Sequence, residues 1–280
     1  MNTLKLKSML EHFYIEDIGD TDLSSDLLFP EEVTGELSIV AKMEGIFCGK
    51  KVIEEGLRVI DDSSTVICHV EDGEQIRKGT VIATAKGPVC SLLKSERVIL
   101  NLIQRMSAIA TETHRVVKKV KGTGTKVCDT RKTMPGLRML DKYAVRTGGG
   151  FNHRNGLYDA VMLKDNHLAF AGSITKAVET VRATIGHTVK IEVEIETFEQ
   201  LQEAIAAKAD IIMFDNCTPE TIKEWKSFVP ETIITEASGM ITNDTIRDYA
   251  EAGVDYISLG YLTHSVKALD ISANVTISTN

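Results

Sequence analysis

The stretch KIEVEIE, Lys190 to Glu196, alternates charged and branched apolar residues without a break. In an extended strand successive side chains point to opposite faces, so Lys190, Glu192, Glu194 and Glu196 share one face and Ile191, Val193 and Ile195 the other. Inside a barrel the carboxylates require cations or a metal nearby, because an unpaired buried charge costs several kcal/mol or shifts its pKa. Lys164 is the expected partner. The plainer alternative is an edge strand with a solvated acidic face.

Working outward, strand-like runs recur at Lys126–Asp129, Val161–Lys164, Ile211–Phe214, Thr232–Thr235 and Tyr256–Leu259. Amphipathic helical patterns lie between the later ones. One is Phe198–Lys208, capped by Thr197 with Gln200 three residues on, and another is Pro219–Phe228 with proline in the first turn. Strand and helix alternating in this way predict a parallel α/β domain over residues 122–265. A closed or nearly closed barrel is the natural form. The open doubly wound alternative lacks a GxGxxG fingerprint.

Before residue 122 the texture differs. A helical N-terminus is followed by short strand-like runs, among them Leu37–Ala41 and Val66–Val70, punctuated by Gly45, Gly49, Gly73, Gly79 and Gly87. A long helix is predicted from Ser91 to Val120, with Arg97, Asn101, Gln104 and Ala108 on one polar face. Residues 1–121 thus form a small α/β domain with a linking helix, joined by the C-terminal segment 266–280.

Composition narrows the function. The chain has 280 residues, 43% of them hydrophobic, and no uninterrupted apolar run of signal-peptide or membrane-spanning length, so a cytoplasmic location without membrane attachment is expected. Its five cysteines are scattered without CxxC spacing, which argues against a zinc site or a disulfide framework. A net charge of −8 speaks against nucleic acid as a partner. From Asp129 to His167, however, seven Lys or Arg face four Asp, a local +3 that leaves −11 for the rest. A basic focus in an acidic protein suits a small anionic substrate.

Polar residues gather where the predicted strands end: Asp129–Lys132, Lys164–His167, Glu194–Glu196, Asp215-Asn216, Glu236–Gly239 and Ser258–Gly260. Barrel enzymes place their chemistry at such ends and frequently hold phosphate in the loops after the last two strands. Two other readings stay open on these residues: a Schiff base at Lys164, as in aldolase-type lyases, and a lipoyl- or biotinyl-like carrier fold over Gly73–Gly87, which lacks an exposed Met-Lys-Met turn.

The run DTRKTMPGLRMLDKYAVRTGGGFNHRNGLYDAVMLKDNHLAF, beginning at Asp129, resembles the signature region of the quinolinate phosphoribosyltransferases, also called nicotinate-nucleotide pyrophosphorylases. The likeness extends from EDIGDTDLSSDLL through SERVILNLIQRMSAIAT to KIEVEIET, FDN, ASG and SLGYLTHS. It implies an N-terminal α/β sandwich domain followed by an α/β barrel, a homodimer, and magnesium. It also implies transfer of ribose 5-phosphate from phosphoribosyl pyrophosphate to quinolinate, with loss of carbon dioxide and pyrophosphate, yielding nicotinate mononucleotide for NAD biosynthesis.

By the same resemblance quinolinate meets Arg131, His153, Arg154 and Lys164, with Arg97 supplied by a neighbouring subunit. Phosphoribosyl pyrophosphate meets Lys132, Lys164, Glu194 and Asp215, with Ser238, Gly239 and Gly260 around the 5-phosphate. Lys132, Glu194 and Asp215 carry the catalytic role, and the two carboxylates contact magnesium, itself held mainly by the pyrophosphate, or the ribose hydroxyls. The chain departs from the family pattern at Ala108 and Met240, where glycine is usual, and at Thr147, where cysteine is common. Of these, Met240 bears on the phosphate loop. His12, His69, His114, His187 and His264 are read as surface or packing residues.

Overall fold

The computed structural model describes residues 1–30 and 32–277, which fall into two compact units. The first comprises Met1–Glu112, Met139–Gly148 and the segment from Ser265 onward. Its helices α1 (Thr3–Ile18) and α2 (Ser25–Leu28) precede strands β1 (Thr34–Ala41) and β2 (Gly45–Ile46). Helix α3 (Lys50–Ile60), strands β3 (Thr65–Cys68), β4 (Gln75–Ile76) and β5 (Val81–Pro88) and the long helix α4 (Val89–Lys119) follow. The main sheet is antiparallel in the order β12-β1-β5-β3, where β12 is Ile271–Ile277. Strand β1 alternates strictly, burying Leu37, Ile39 and Ala41.

Helices α1, α3 and α4 meet at Gly56, where a Cβ would stand 2.7 Å from Ile99 and 3.0 Å from the Tyr14 hydroxyl. Tyr14 uses the space, donating its O–H to the Gly56 carbonyl at 3.0 Å. The bare α-carbon therefore sets how closely the helices approach.

The second unit comprises Thr113–Arg138 and Gly149–His264. Its strands are β6 (Lys126–Cys128), β7 (Val161–Leu163), β8 (Ile191–Ile195), β9 (Ile211–Asp215), β10 (Ile234–Ser238) and β11 (Tyr256–Ser258). They form one parallel sheet in the order β6-β11-β10-β9-β8-β7. Phe151 adds a parallel bridge to Cys128 on the free side of β6. Helix α5 (Arg138–Thr147) leaves this unit, whereas α6 (Asp165–Ala171), α7 (Ile174–Arg182), α8 (Phe198–Ala206), α9 (Pro219–Lys226), α10 (Ile246–Glu251) and α11 (Tyr261–His264) stay within it. The capping box expected at α8 is present: Thr197 accepts from the Gln200 amide at 3.3 Å and Gln200 accepts from the Thr197 amide at 3.2 Å.

The alternation in β8 divides as the sequence predicts. Ile191, Val193 and Ile195 are fully buried in the apolar cluster shared with Leu201, Ala204 and Ile222 of the helices. The opposite face carries Glu192 and Glu194. In register, Glu194 stands beside Met213, and Met213 beside Glu236.

Two expectations shift. The strand predicted at Thr232–Thr235 lies at Ile234–Ser238, because Ile233 closes a turn onto Pro230 and pairing with β9 begins at Ile234 opposite Ile211. Glu236 and Ser238 consequently belong to the strand itself. Within the basic stretch, Met139–Gly148 packs with the first unit, so Asp141, Lys142 and Arg146 belong to that unit and not to the parallel-sheet unit. Its anchor is a bidentate pair in which Arg105 Nε and Nη2 each donate at 2.8 Å to the fully buried Asp141. Tyr143 adds a hydrogen bond to Asp72 at 2.7 Å. Within the long helix, the division between the two units falls between Glu112 and Thr113, and the final segment joins the first unit from Ser265.

Candidate active site

At the C-terminal ends of the parallel strands lies a cavity of about 410 Å³, within the range typical of small-molecule sites. Thr130, Arg131 and Lys132 enter after β6, Met162 from β7 and Lys164 directly after it, and Glu194 from β8. Met213 and Asp215 come from β9, Ser238 from β10 and Ser258 from β11. His153 and Arg154 complete the lining.

Asp129 explains how those last two arrive. Its fully buried carboxylate accepts the His153 amide at 2.9 Å and the Asn152 side-chain amide at 2.6 Å. Phe151 is bound to β6 on both sides, its N–H donating to Val127 O at 2.8 Å and its carbonyl accepting from Asp129 N at 3.1 Å. The turn after the glycine run is thus pinned to the strand, with His153 and Arg154 directed into the cavity.

Charge in the cavity is unevenly matched. Lys164 forms an ion pair with Glu194, as the alternation in β8 anticipates. Burial holds the Glu194 carboxyl above its ordinary range, and Lys164 pulls it part of the way back. Asp215 accepts from Asn216 Nδ2 at 2.8 Å. Neither Arg131 nor Arg154 pairs with a carboxylate among the described residues, and Arg131 Nε is buried without a hydrogen-bond partner. Among the described residues the Arg154 side chain donates to the Ala160 carbonyl at 3.2 Å and to Met162 Sδ at 3.6 Å. Burial, and next the Arg131 charge, lower its pKa. Two guanidinium groups that repel each other, neither in an ion pair with a carboxylate among the described residues, make ground for an anion with more than one negative charge.

A second cluster is buried at His153. His153 Nε2 lies 2.9 Å from Glu192 Oε2 and 3.7 Å from Glu236 Oε1, and both carboxylates are almost inaccessible. Glu236 is pushed up to about 7, first by burial and then by the Glu192 charge.

The loops after β9 and β10 are clasped together. Asn216 N donates to Ser238 O at 3.0 Å. Asn216, Gly239 and Met240 all have positive φ, at 55°, 88° and 50°. Gly260 packs against Lys132: a Cβ there would lie 2.9 Å from Lys132 Cδ and 3.1 Å from His264.

Of the residues named from the sequence, the cavity gathers Arg131, Lys132, His153, Arg154, Lys164, Glu194, Asp215 and Ser238. Gly239 follows Ser238 directly, and Gly260 is the residue against Lys132. Arg97 is not among the lining residues; it is exposed on α4 in the first unit, 3.5 Å from Glu96. Gln104 of the same stripe is bound to the Ile271 carbonyl, and Ala108 is buried. Thr130 and Ser258, within the strand-end clusters read from the sequence, also line it, whereas the sequence reading passed over Met162 and Met213 and did not pair Glu192 with Glu236. Period-two counting along β8 and β10 was the signal that could have found the two acids.

Comparison with known proteins identifies the family. Residues 22–107 match the family description "Quinolinate phosphoribosyl transferase, N-terminal domain" and residues 109–274 its C-terminal domain. The chain is 56% identical over 278 residues to a probable nicotinate-nucleotide pyrophosphorylase [carboxylating] of Bacillus subtilis (strain 168), covering 99% of this chain and 96% of that one. It is 38% identical to the corresponding Mycobacterium leprae (strain TN) protein, covering 91% of each. Among solved structures, NadC from Streptococcus pyogenes superposes with a TM-score of 0.95 at 37% identity, covering 100% of this chain and 99% of that one. The nicotinate-nucleotide pyrophosphorylase from Francisella tularensis gives 0.93 at 37% identity, with 99% and 98% covered. With both halves matched and the fold shared end to end, the chain belongs to the quinolinate phosphoribosyltransferase family.

Proposed function

We propose that this protein is a decarboxylating quinolinate phosphoribosyltransferase, converting quinolinate and phosphoribosyl pyrophosphate to nicotinate mononucleotide, carbon dioxide and pyrophosphate in NAD biosynthesis. The observation that carries the reading is the pair Arg131 and Arg154, two guanidinium groups in one cavity with no carboxylate of their own. Forked donors match the planar dicarboxylate of quinolinate bidentately.

Quinolinate lies against Arg131, Arg154 and Lys164. The ribose phosphate occupies the side formed by Lys132, Glu194 and Asp215, with Ser238, Gly239 and Gly260 around the 5-phosphate. Glu194 and Asp215 suit a magnesium ion: their hard carboxylate oxygens stand on neighbouring strands, and two protein ligands are few enough for an ion held mainly by pyrophosphate. When bound, it neutralises charge on the departing pyrophosphate.

The ring nitrogen attacks the anomeric carbon as pyrophosphate leaves with the bonding pair. Glu194 and Asp215 face the positive charge that develops on the ribose, while Lys132 faces the departing group. When the adjacent carboxylate leaves as carbon dioxide, the bonding pair stays on the ring carbon, where the neighbouring cationic nitrogen stabilises it. The vacated ring carbon then takes up a proton. Arg131 and Arg154 orient the dicarboxylate, and exclusion of water favours loss of its charge.

No described helix is long and apolar enough to cross a membrane, and we place the reaction in the cytoplasm. We further assign a homodimer in which each subunit lends Arg97 to its neighbour's cavity. The activity is tested by incubating the protein with quinolinate, phosphoribosyl pyrophosphate and magnesium: nicotinate mononucleotide is expected, and its absence from folded protein overturns the reading. For the dimer, Arg97→Ala and Lys132→Ala are each nearly inactive, and mixing them restores about a quarter of wild-type activity through dimers with one intact site. Verified mixed dimers without recovery would reject the shared site.

A further inference from the structure

The parallel-sheet unit holds a second cavity, also of about 410 Å³, that shares no lining residue with the reaction cavity. His114, Val117, Lys118 and Lys121, at the end of α4, follow one another at the spacing of a single helix face. The chain then turns through Gly122 and Gly124 and returns as β6, adding Lys126 and Val127 to the lining. Gly149 and Phe151 come from the segment that bridges to β6. A Cβ at Gly149 would stand 3.8 Å from Val117 Cγ1, so a longer side chain there would begin to fill the space.

The lining combines two chemistries. Val120 and Val127 are buried, Val117 and the Phe151 ring are half-buried, and together they give an apolar floor. Lys118, Lys121 and Lys126 are exposed around it, with Lys126 Nζ 5.3 Å from the centroid of the Phe151 ring. No carboxylate lines the cavity, and none of these three lysines is in an ion pair among the described residues. Burial, and next the Lys118 charge, lower the pKa of His114. In a chain of net charge −8, such a concentration of unmatched cations is uneven placement of a scarce charge.

We propose that this cavity is a second ligand site, which takes a small aromatic carboxylate with its ring on Val117, Val120 and Phe151 and its charge among Lys118, Lys121 and Lys126. A bare inorganic anion would use the lysines and leave the floor wet, whereas a neutral ring would cover the floor and leave the cations unmatched. An apolar body with one anionic edge satisfies both. Lys126 opens β6, the strand whose other end delivers Arg131 and Lys132 to the reaction cavity. The two sites therefore lie toward opposite ends of one strand, and occupancy of each is separately measurable.

The probe is 2-naphthoate, followed by NMR of the His114 ring, which is assigned by its loss in His114→Gln. Saturable movement of the His114 resonances is expected, with a rise in its pKa as a negative charge arrives beside it. His114 resonances that stay still throughout the titration overturn the proposal. Neutral 2-naphthamide, of the same shape, binds about ten-fold more weakly or worse, and sodium sulfate at equal ionic strength does not reproduce the saturable shift. Equal affinity for 2-naphthamide rejects the anionic part of the site, and an equal response to sulfate rejects the apolar part. Replacing both exposed lysines, Lys118→Gln with Lys121→Gln, weakens 2-naphthoate about ten-fold. An unchanged affinity in that doubly substituted protein rejects the assignment, because the reaction cavity retains all its own cations.

Discussion

Gly239 faces Asn216 with no room for a side chain: a Cβ on Gly239 would stand 2.8 Å from the Asn216 backbone nitrogen, and closer still to its side-chain oxygen. The two residues end neighbouring strands, and Asn216 spends its N–H on the Ser238 carbonyl and its Nδ2 on Asp215. The loop assigned to the 5-phosphate is thereby tied to the carboxylate assigned to the ribose.

Gly239→Ala breaks that tie. The added methyl meets backbone, which cannot yield as a flexible side chain would, at a φ of 88° that disfavours any L side chain. A loss of about 1–3 kcal/mol in chemical denaturation is expected, with a rise in the KM for phosphoribosyl pyrophosphate that exceeds the rise for quinolinate. A variant with wild-type stability and kinetics would show that the loop moves freely.

Arg131→Lys separates the two substrates in the opposite sense. An ammonium keeps the charge and loses the paired parallel hydrogen bonds, so quinolinate binding weakens by about 1.5–3 kcal/mol. Calorimetric titration of each substrate checks this, and equal losses for both contradict the placement.

Met240 holds a backbone conformation, φ 50°, that glycine adopts without penalty, and its side chain is 83% exposed and contributes little packing. Left-handed geometry costs an L residue about 1–2 kcal/mol, whereas glycine adds back about 0.4–1 kcal/mol of unfolded-state entropy. Met240→Gly is expected to stabilise the protein by up to about 1 kcal/mol, seen as a raised Tm. A lowered Tm would mean that the thioether makes a contact in solution.

Glu236 gives the fold a pH dependence of definite sign. Its carboxyl, at about 7 in the folded protein against 4.5 unpaired, binds its proton more tightly when folded. The resulting stability is complete below about 4.5 and is lost as pH rises through about 7. Glu236→Gln removes this ionisation, so the Tm of the variant relative to wild type climbs as pH increases across that window. A constant difference across it removes Glu236 as the titrating group.

Much of the architecture could be read from local pattern. The KIEVEIE alternation set both faces of β8, because period two is a property of the backbone alone, and Lys164, expected as a partner for the carboxylate face, pairs with Glu194. The Thr197 and Gln200 capping box was equally local. Strand β10 was placed early because Thr232 and Ile233 have strand-forming side chains, whereas the register against Ile211 of β9 decides where pairing begins. The cluster of His153, Glu192 and Glu236 draws on three separated segments, and their meeting depends on strand order and register, which local pattern does not carry. The allegiance of Met139–Gly148 was hidden for a similar reason: Asp141 looks like one more charge beside the signature residues until Arg105, on another helix, is seen to hold it.

The edge position of β12 carries a consequence for biogenesis. Ile39 in β1 pairs with Ala273 in β12, so the first unit's sheet is completed by residues that leave the ribosome after the entire barrel. Until then β1 is bound on one side only, by β5, and offers a row of free amides and carbonyls to any other chain nearby. Nascent protein is thus exposed to strand-to-strand aggregation for most of its synthesis, and pairing at such sequence separation closes slowly. A chain truncated before Ile271 would keep that open edge permanently, with its barrel sequence intact.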